Sequence, residues 1–138
     1  MRYMAIDYGN KRIGLAICDA SETLASPLAV IDARQKPLEK IAELVTRENV
    51  GAIVVGLPLN MDDSQGSQAK ITIAFAERLK KEVAVKVFFQ DERLSSFAAE
   101  QKLARAELSR KKKRKHLDAV AAAEILEAFL QKGRAGRQ

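Results

Sequence analysis

The fold of this chain is decided by its opening stretch, Met1-Arg-Tyr-Met-Ala-Ile-Asp-Tyr-Gly-Asn-Lys-Arg-Ile-Gly-Leu-Ala-Ile-Cys-Asp19. Asp7 is in phase with Tyr3 and Ala5, so these three residues share one face of a predicted first strand. Gly9 follows two residues later and permits a tight turn. The stretch therefore predicts a β-hairpin whose first strand ends at the carboxylate of Asp7.

The residues after the turn suggest what the Asp7 carboxylate could do. The return strand, predicted over Arg12–Cys18, contains Gly14, and a glycine inside a strand marks a bulge or a close approach to the backbone. A carboxylate at the end of a buried strand can bind a hard divalent cation, and Lys11 and Arg12 could engage a phosphate beside it. A surface turn uses the same residue types, so this stretch alone leaves both interpretations open.

The charge of the chain is concentrated in its C-terminal third. The 138 residues carry a formal net charge of +6. Residues 101–138 hold 11 Lys/Arg against 4 Asp/Glu, whereas residues 1–100 hold 13 against 14. Such asymmetry favours a polyanionic partner, with nucleic acid first and an anionic membrane surface second, although simple solvation of the surface is an alternative.

Length and composition narrow the class of protein. The chain is short enough to predict one domain over residues 1–138, with residues 133–138 as a frayed tail. No apolar run approaches the ~20 residues of a membrane helix, and no signal peptide precedes the first strand. Cys18 is the only cysteine, which fits a reducing cytoplasm, and a single histidine argues against a zinc site. We therefore expect a cytoplasmic protein without a membrane partner.

The remaining pattern alternates strands with helices. Because helix-separated strands run parallel and the hairpin is antiparallel, we expect an α/β fold whose mixed five-stranded sheet has the order 3-2-1-4-5, with helices on both faces. Its central strands then end at one edge, which carries Asp7, the loop after Gly56 and the pair Asp91-Glu92. Beyond the hairpin, the predicted strands cover residues 23–31, 52–56 and 83–89, the last two buried, and the predicted helices cover 37–49, 69–79, 95–108 and 117–130.

A third acid, Asp118, heads the apolar face of the last predicted helix, in phase with Ala122 and Ile125. An acid there commonly complements the helix dipole, which is the simpler interpretation. Acids that converge on one edge repel one another unless a cation neutralises them, and Mg²⁺ or Mn²⁺ suits carboxylate oxygens. Strand alternation does not decide whether Asp91 or Glu92 is the second acid, since the two would point to opposite faces.

A run of cations precedes this last helix. Arg110-Lys-Lys-Lys-Arg-Lys115 is predicted as a charged loop whose side chains repel one another unless a partner is bound. Beside an acidic metal site, such a loop would clamp a phosphate backbone. A solvated loop without a partner is an equal alternative.

Four blocks of the chain resemble the signature blocks of the YqgF/RuvX family, in the right order and over nearly the whole length. They are Asp7-Tyr-Gly-Asn-Lys-Arg-Ile-Gly14, Gly56-Leu-Pro-Leu-Asn-Met-Asp62, Asp91-Glu-Arg-Leu-Ser-Ser96 and Lys115-His-Leu-Asp-Ala-Val-Ala-Ala-Ala-Glu-Ile-Leu126. Members of that family are RNase H-like and related to Holliday junction resolvases. They are described as resolvases or as nucleases that trim the 5′ end of precursor 16S ribosomal RNA.

The resemblance implies a metal-dependent nuclease. Matched by position, Asp7, Glu92 and Asp118 are the expected catalytic acids and the ligands of Mg²⁺ or Mn²⁺, with two ions in the two-metal scheme. The residues expected to position the phosphate backbone are Lys11, Arg12, Arg93, Arg110, Lys111, Lys112, Lys113, Arg114 and Lys115.

The expected activity is hydrolysis of phosphodiester bonds in structured nucleic acid. Processing of precursor 16S rRNA in ribosome biogenesis is the first assignment, and Holliday junction resolution is the second. A non-catalytic nucleic-acid-binding module is an alternative of another class, because fold does not fix function. The Asp7-x-Gly9 turn also resembles the phosphate loops of actin-like ATPases, but their architecture needs two such domains. We expect a monomer or a weak homodimer, although a junction resolvase would need two sites related by symmetry.

Overall fold

A mixed five-stranded sheet with helices on both faces forms the fold. The computed structural model describes residues 1–58, 66–91 and 112–136, without the side chains of residues 112–118 and 134–136. The strands are β1 (Tyr3–Tyr8), β2 (Arg12–Cys18), β3 (Ala25–Asp32), β4 (Ala52–Leu57) and β5 (Lys86–Asp91), and the helices are α1 (Pro37–Arg47), α2 (Ser67–Glu82) and α3 (Lys112–Gly136). The strand order is β3-β2-β1-β4-β5, with β2 antiparallel to its neighbours and β4 and β5 parallel to β1. The predicted order and directions are confirmed, and the helix predicted over 95–108 lies outside the described residues.

Alternation along the strands divides the core between the two faces of the sheet. Met4 and Ile6 of β1 belong to a cluster with α1 and α2 that includes Phe75. Ala5, between them, belongs to a second cluster under α3 that includes Ala122. Full burial of an Ile- or Met-sized side chain contributes about 1.5–3 kcal/mol to stability, so the first cluster carries more of the hydrophobic energy. The alanines of the second cluster allow α3 to pack closely on the sheet.

Helix α1 is delimited by local backbone chemistry. Pro37 occupies its first position, where the missing N–H would have had no partner within the helix. At its end, Asn49 adopts a left-handed conformation with φ 56°. The Val50 N–H then donates to the Val45 carbonyl at 2.9 Å, and the Asn49 N–H donates to the Thr46 carbonyl at 3.3 Å. This pair of hydrogen bonds is the Schellman arrangement, which ends the helix and directs the chain into β4.

Strand β5 differs from the prediction of a buried strand over residues 83–89. Val83 ends α2 instead, by donating its N–H to the Leu79 carbonyl at 3.1 Å, and the strand begins at Lys86. In the described sheet β5 is an edge strand, and Phe88 is 40% exposed. The prediction of burial was wrong because a run of Val and Phe has the same pattern at an edge as in a central strand.

Helix α3 is longer than predicted at both ends. The prediction covered residues 117–130, whereas the helical backbone runs from Lys112 to Gly136. Residues 112–115 are therefore the first turn of a helix, and the prediction of a loop there was wrong. Lys and Arg are good helix formers, and no Gly or Pro separates them from the apolar part of the helix. Among the described helices, none combines the length and the apolar composition that a membrane span requires.

Cys18 packs as a small apolar residue. Its side chain is buried under α3, and its Sγ accepts a hydrogen bond from the Tyr3 N–H at 3.2 Å. Burial raises the pKa of the Cys18 thiol, so the thiol stays protonated at neutral pH.

The turn between β1 and β2 requires glycine at position 9, and we expect Gly9→Ala to destabilise the metal-free protein by about 1–3 kcal/mol. A Cβ at this position would lie 2.6 Å from the Arg12 carbonyl oxygen, which belongs to the rigid hairpin backbone. Gly51→Ala is the matched control, because its Cβ would meet the Met1 Cγ at 2.6 Å and that side chain is 59% exposed and free to shift. Urea denaturation measures both variants, and equal losses of stability would contradict this account of the turn.

Candidate active site

A row of four residues crosses the sheet where its central strands end. Asp7 of β1 lies opposite Gly14 of β2. On its other side, the next position of the parallel β1–β4 ladder brings Gly56 level with Asp7. Gly56 in turn pairs with Gln90 of β5. Since glycine has no side chain, the positions directly level with Asp7 on both neighbouring strands hold no side chain.

The Asp7 carboxylate belongs to the face of the sheet that α3 covers. Ala5, which is in phase with Asp7, packs in the cluster under α3 with Ala122. Met4 and Ile6 point to the opposite face. Asp7 itself is half-buried. The prediction that Asp7 shares one strand face with Tyr3 and Ala5 is confirmed. The carboxylate of Asp7 is therefore directed into the layer between the sheet and α3.

Helix α3 packs against β1. The ring of Phe129, in the C-terminal half of α3, lies 5.2 Å from the ring of Tyr3, at the start of β1. From residue 129 back to Asp118, an α-helix advances about 16 Å. From Tyr3 to Asp7, a strand advances about 13 Å. These similar advances are compatible with a position of Asp118 near Asp7, which stays a prediction.

Asp91 lies at the end of β5, and alternation along the strand assigns it to the face of the sheet that packs on α1 and α2. Phe89, which shares its phase, packs against the cluster of α1 and α2. Phe88, in the alternate phase, contacts an aromatic ring of α3 with 5.9 Å between centroids. The pleat therefore directs Asp91 away from the face that carries Asp7. Glu92 lies outside the described residues.

The described side chains include only part of the predicted acidic site. Asp7 is described in full, whereas Asp118 is described by its backbone alone. Across residues 1–58, 66–91 and 112–136, no group of three His, Cys, Asp or Glu side chains is arranged to hold a metal ion. A half-buried carboxylate with glycine on both sides has the donor chemistry that a hard divalent cation needs. The full ligand set stays a prediction.

A basic cleft of about 360 Å³ lies beside the hairpin turn, at the same edge as Asp7. Its polar lining consists of Lys11, Arg12, Arg34 and Asp32. The Arg34 Nε donates to the Asp32 Oδ1 at 3.1 Å, and this hydrogen bond holds the pKa of Asp32 below its ordinary value. The cleft thus presents three cations against one carboxylate.

Sequence reasoning predicted Lys11 and Arg12 but missed Arg34. The two parts of the cleft are joined by pairing between β2 and β3, in which Arg12 lies opposite Asp32. The Ala33 N–H also donates to the Lys11 carbonyl at 2.9 Å. The available signal was the charged turn that follows β3, but only the strand register connects that turn with the hairpin.

The first four residues of helix α3 are all basic. Residues 112–115 read Lys-Lys-Arg-Lys, and the first turn contains no acidic residue. The N-terminus of a helix carries partial positive charge, so these cations are disfavoured by the helix dipole as well as by one another. A polyanion bound there would relieve both effects. The side chains of residues 112–115 are not described, and Arg93, Arg110 and Lys111 lie outside the described residues, so their predicted contacts stay predictions.

Gln90 is a second residue that sequence reasoning missed. It is 3% exposed, and within the described part of the chain its Nε2 has no hydrogen-bond partner. By alternation with Phe88 it faces α3, like Asp7. The available signal was a neutral polar residue within an apolar strand, which alone does not indicate burial.

Comparisons with known proteins agree with this fold. The family model described as RuvX: Holliday junction resolvase matches residues 1–132. A protein of Anaeromyxobacter sp. named "Putative pre-16S rRNA nuclease" is 45% identical over 132 residues, which cover 94% of this chain and 96% of the relative. A protein of the same name from Desulforamulus reducens is 39% identical over 135 residues, which cover 96% and 98% of the two chains.

Solved structures show the same fold. Thermus thermophilus RuvC in complex with a Holliday junction substrate aligns with a TM-score of 0.57 at 18% identity, and the alignment covers 97% of this chain and 96% of that one. The mixed sheet and its helices are therefore of the RuvC, RNase H-like type, as the sequence predicts.

Proposed function

The chain belongs to the RuvX family, and from that premise we propose that it is a nuclease that hydrolyses phosphodiester bonds of structured nucleic acid. The substrate that we assign first is the 5′ end of precursor 16S rRNA, since relatives about as long as this chain carry a name with that activity. The place of action would then be the cytoplasm, during ribosome biogenesis. We assign no membrane partner.

The observation that carries this proposal is the position of Asp7 between two glycines, at the edge where the parallel strands end. In α/β sheets, ligands bind at the carboxyl ends of the strands, next to the point where the winding direction changes. β1 is that point here, because the chain continues to β2 on one side of it and to β4 on the other. A surface turn would not need glycine at the level of its carboxylate on both neighbouring strands.

The proposed ligands of Mg²⁺ or Mn²⁺ are Asp7, Glu92 and Asp118, with two ions in the site. When bound, such ions lower the pKa of a coordinated water and stabilise negative charge on the leaving oxygen. Asp7 would hold its carboxylate toward the layer under α3, and Asp118 would approach from the helix above. The cations of the basic cleft and of residues 110–115, together with Arg93, would orient the phosphate backbone across this edge.

The phase of β5 supports Glu92 as the second acid. Asp91 is directed to the face of α1 and α2. A strand continued by one residue would direct Glu92 to the face of Asp7. The sequence alone left Asp91 and Glu92 as alternatives. The observed faces of β5 favour Glu92, because Asp91 is directed away from Asp7.

Holliday junction resolution is the second candidate function, and the likeness to Thermus thermophilus RuvC favours it. That likeness shows the fold alone, and resolution would require two copies of the chain acting on opposite strands of one junction. We propose a monomer or a weak homodimer, which makes ribosomal RNA the first choice. A module that binds nucleic acid without cutting it is the remaining alternative.

The test is single-turnover cleavage by highly purified protein, with Mg²⁺ or Mn²⁺ titrated. The two substrates are an RNA that spans the 5′ end of precursor 16S rRNA and a four-way DNA junction. We expect metal-dependent cleavage of the RNA. Preferential cleavage of the junction, in symmetric pairs of nicks, would support the second candidate, and binding without any cleavage would leave a binding module.

The basic cleft provides a separate prediction, in which Lys11→Gln combined with Arg34→Gln weakens binding of the RNA about 3- to 10-fold at 50 mM salt. Each lost phosphate contact should also lower the slope of log affinity against log salt concentration by roughly 0.7–0.9. Stability should change little, because exposed ion pairs contribute about 0–1 kcal/mol. Fluorescence anisotropy at several salt concentrations measures the affinity and the slope.

Arg47→Gln is the matched control for Arg34. The two side chains are 69% and 70% exposed, and each pairs with a neighbouring acid, Arg47 with Glu48 at 3.6 Å and Arg34 with Asp32 at 3.1 Å. Arg47 ends α1, next to the start of β4, so it lies at the opposite edge of the sheet. A salt slope that falls equally in both variants would show that the cleft has no special role.

A further inference from the structure

Gln90 has an unusual environment for a polar side chain. It is 3% exposed, and its Nε2 has no hydrogen-bond partner among the described residues. Thr72, the other buried polar residue in the described part of the chain, donates its hydroxyl to the Gln68 carbonyl at 2.8 Å. Buried amides are nearly always paired, because burial removes their hydrogen bonds to water. The free donor of Gln90 therefore points to a partner that is engaged only in a functional state.

The row across the sheet indicates which group that partner is. Gln90 and Asp7 face the same layer, and only Gly56 lies between them on β4. Strands are spaced about 4.8 Å apart, so the two Cα atoms are separated by roughly 10 Å. A Gln and an Asp side chain that extend toward each other span this distance with a hydrogen bond, and Gly56 has no side chain to obstruct it.

We propose that Gln90 is a positioning residue of the metal site, whose Nε2 donates a hydrogen bond to the Asp7 carboxylate oxygen when that carboxylate binds a cation. The inference rests on the proposed function, since it assumes that Asp7 is a metal ligand. A carboxylate has about four lone-pair positions, so it can bind a cation and accept a hydrogen bond together. The hydrogen bond would help to fix the orientation of the Asp7 carboxylate in the metal-bound state.

The experiment measures Mn²⁺ binding to the full chain by titration calorimetry, together with the melting temperature of the metal-free protein. Gln90→Met removes the amide and keeps the length of the side chain, and Gln90→Leu is a second variant with a shorter one. We expect the Mn²⁺ dissociation constant to rise about 10- to 100-fold, the usual effect of losing a hydrogen bond to a metal ligand. The metal-free melting temperature should stay the same or rise, because the buried Nε2 donor has no hydrogen bond to lose among the described residues.

Thr72→Val is the matched control, since it removes a buried polar group that is already paired. It should lower the metal-free melting temperature and leave the Mn²⁺ dissociation constant unchanged. If both Gln90 variants bind Mn²⁺ like the wild type, or lose metal-free stability as Thr72→Val does, the role of Gln90 is overturned while the proposed function stands. If the wild type itself binds no Mn²⁺, the proposed metal site and the role of Gln90 are both overturned.

Discussion

Replacement of Asp7 by asparagine is expected to reduce metal-dependent cleavage by about 10³-fold or more, while the protein stays folded and still binds nucleic acid. Asn keeps the size of the side chain and its capacity to form turns, but it removes the negative charge. A neutral amide is a poor ligand for two adjacent cations, and a bound cation supplies several kcal/mol of transition-state stabilisation. Binding should persist because the basic residues supply most of the electrostatic attraction to the phosphates.

The same Asp7→Asn variant should keep or raise the melting temperature of the metal-free protein. Carboxylates gathered at one site repel one another, and loss of one charge relieves that repulsion. Addition of Mg²⁺ or Mn²⁺ should raise the melting temperature of the wild type more than that of the variant, since a ligand that binds the folded state stabilises it. Thermal denaturation with and without metal measures both effects.

Asp19→Asn is the matched control for Asp7→Asn. Asp19 follows β2 at the opposite edge of the sheet and accepts a hydrogen bond from the Thr23 N–H at 2.7 Å. Hydrogen bonds from Thr23 hold the pKa of Asp19 below its ordinary value, so it is a structural carboxylate that is charged at neutral pH. Its replacement should cost a little stability and leave cleavage unchanged. Equal cleavage by wild type and Asp7→Asn would contradict the metal-nuclease proposal and point to a contaminating nuclease.

The second large effect is expected after β5, where Glu92→Gln should abolish metal-dependent cleavage and Asp91→Asn should leave a measurable rate. Asp91 is in the phase of Phe89, which packs on the α1 and α2 side, so its carboxylate is directed away from Asp7. Glu92 would take the alternate phase if the strand continued by one residue, and it matches the acid of the family block. We expect a loss of about 10³-fold for Glu92→Gln and less than about tenfold for Asp91→Asn.

The pair of variants is measured by single-turnover cleavage at saturating metal, with the metal-induced rise in melting temperature as a second readout. Asp91→Asn should keep most of that rise, whereas Glu92→Gln should lose most of it. The reverse pattern would identify Asp91 as the ligand and show that the strand phase is broken at its end, for example by a bulge.

Local pattern and chain connectivity were sufficient to predict the strand order of the sheet and the strand face of Asp7. Alternation in the opening stretch assigned Asp7 to its face, and the rule that helix-separated strands run parallel yielded the order β3-β2-β1-β4-β5. Burial was harder to read from the same pattern, as β5 shows, because an edge strand that packs on helices has the apolar composition of a central one. The first turn of α3 was missed because a run of cations reads as a loop, although helix propagation from the apolar segment extends through it.

The sequence by itself determined the fold class, the family and the acid at the end of β1, because these depend on residues close together in the chain or on ordered blocks along it. Only the tertiary structure decided which residues lie level with that acid across the sheet. The opposition of Gly14, the flank at Gly56 and the buried amide of Gln90 all arise from strand pairings between distant segments. Arg34 joins the basic cleft through the β2–β3 register in the same way. No local periodicity encodes such neighbours, since register is set by the packing of whole strands against the helices on both faces.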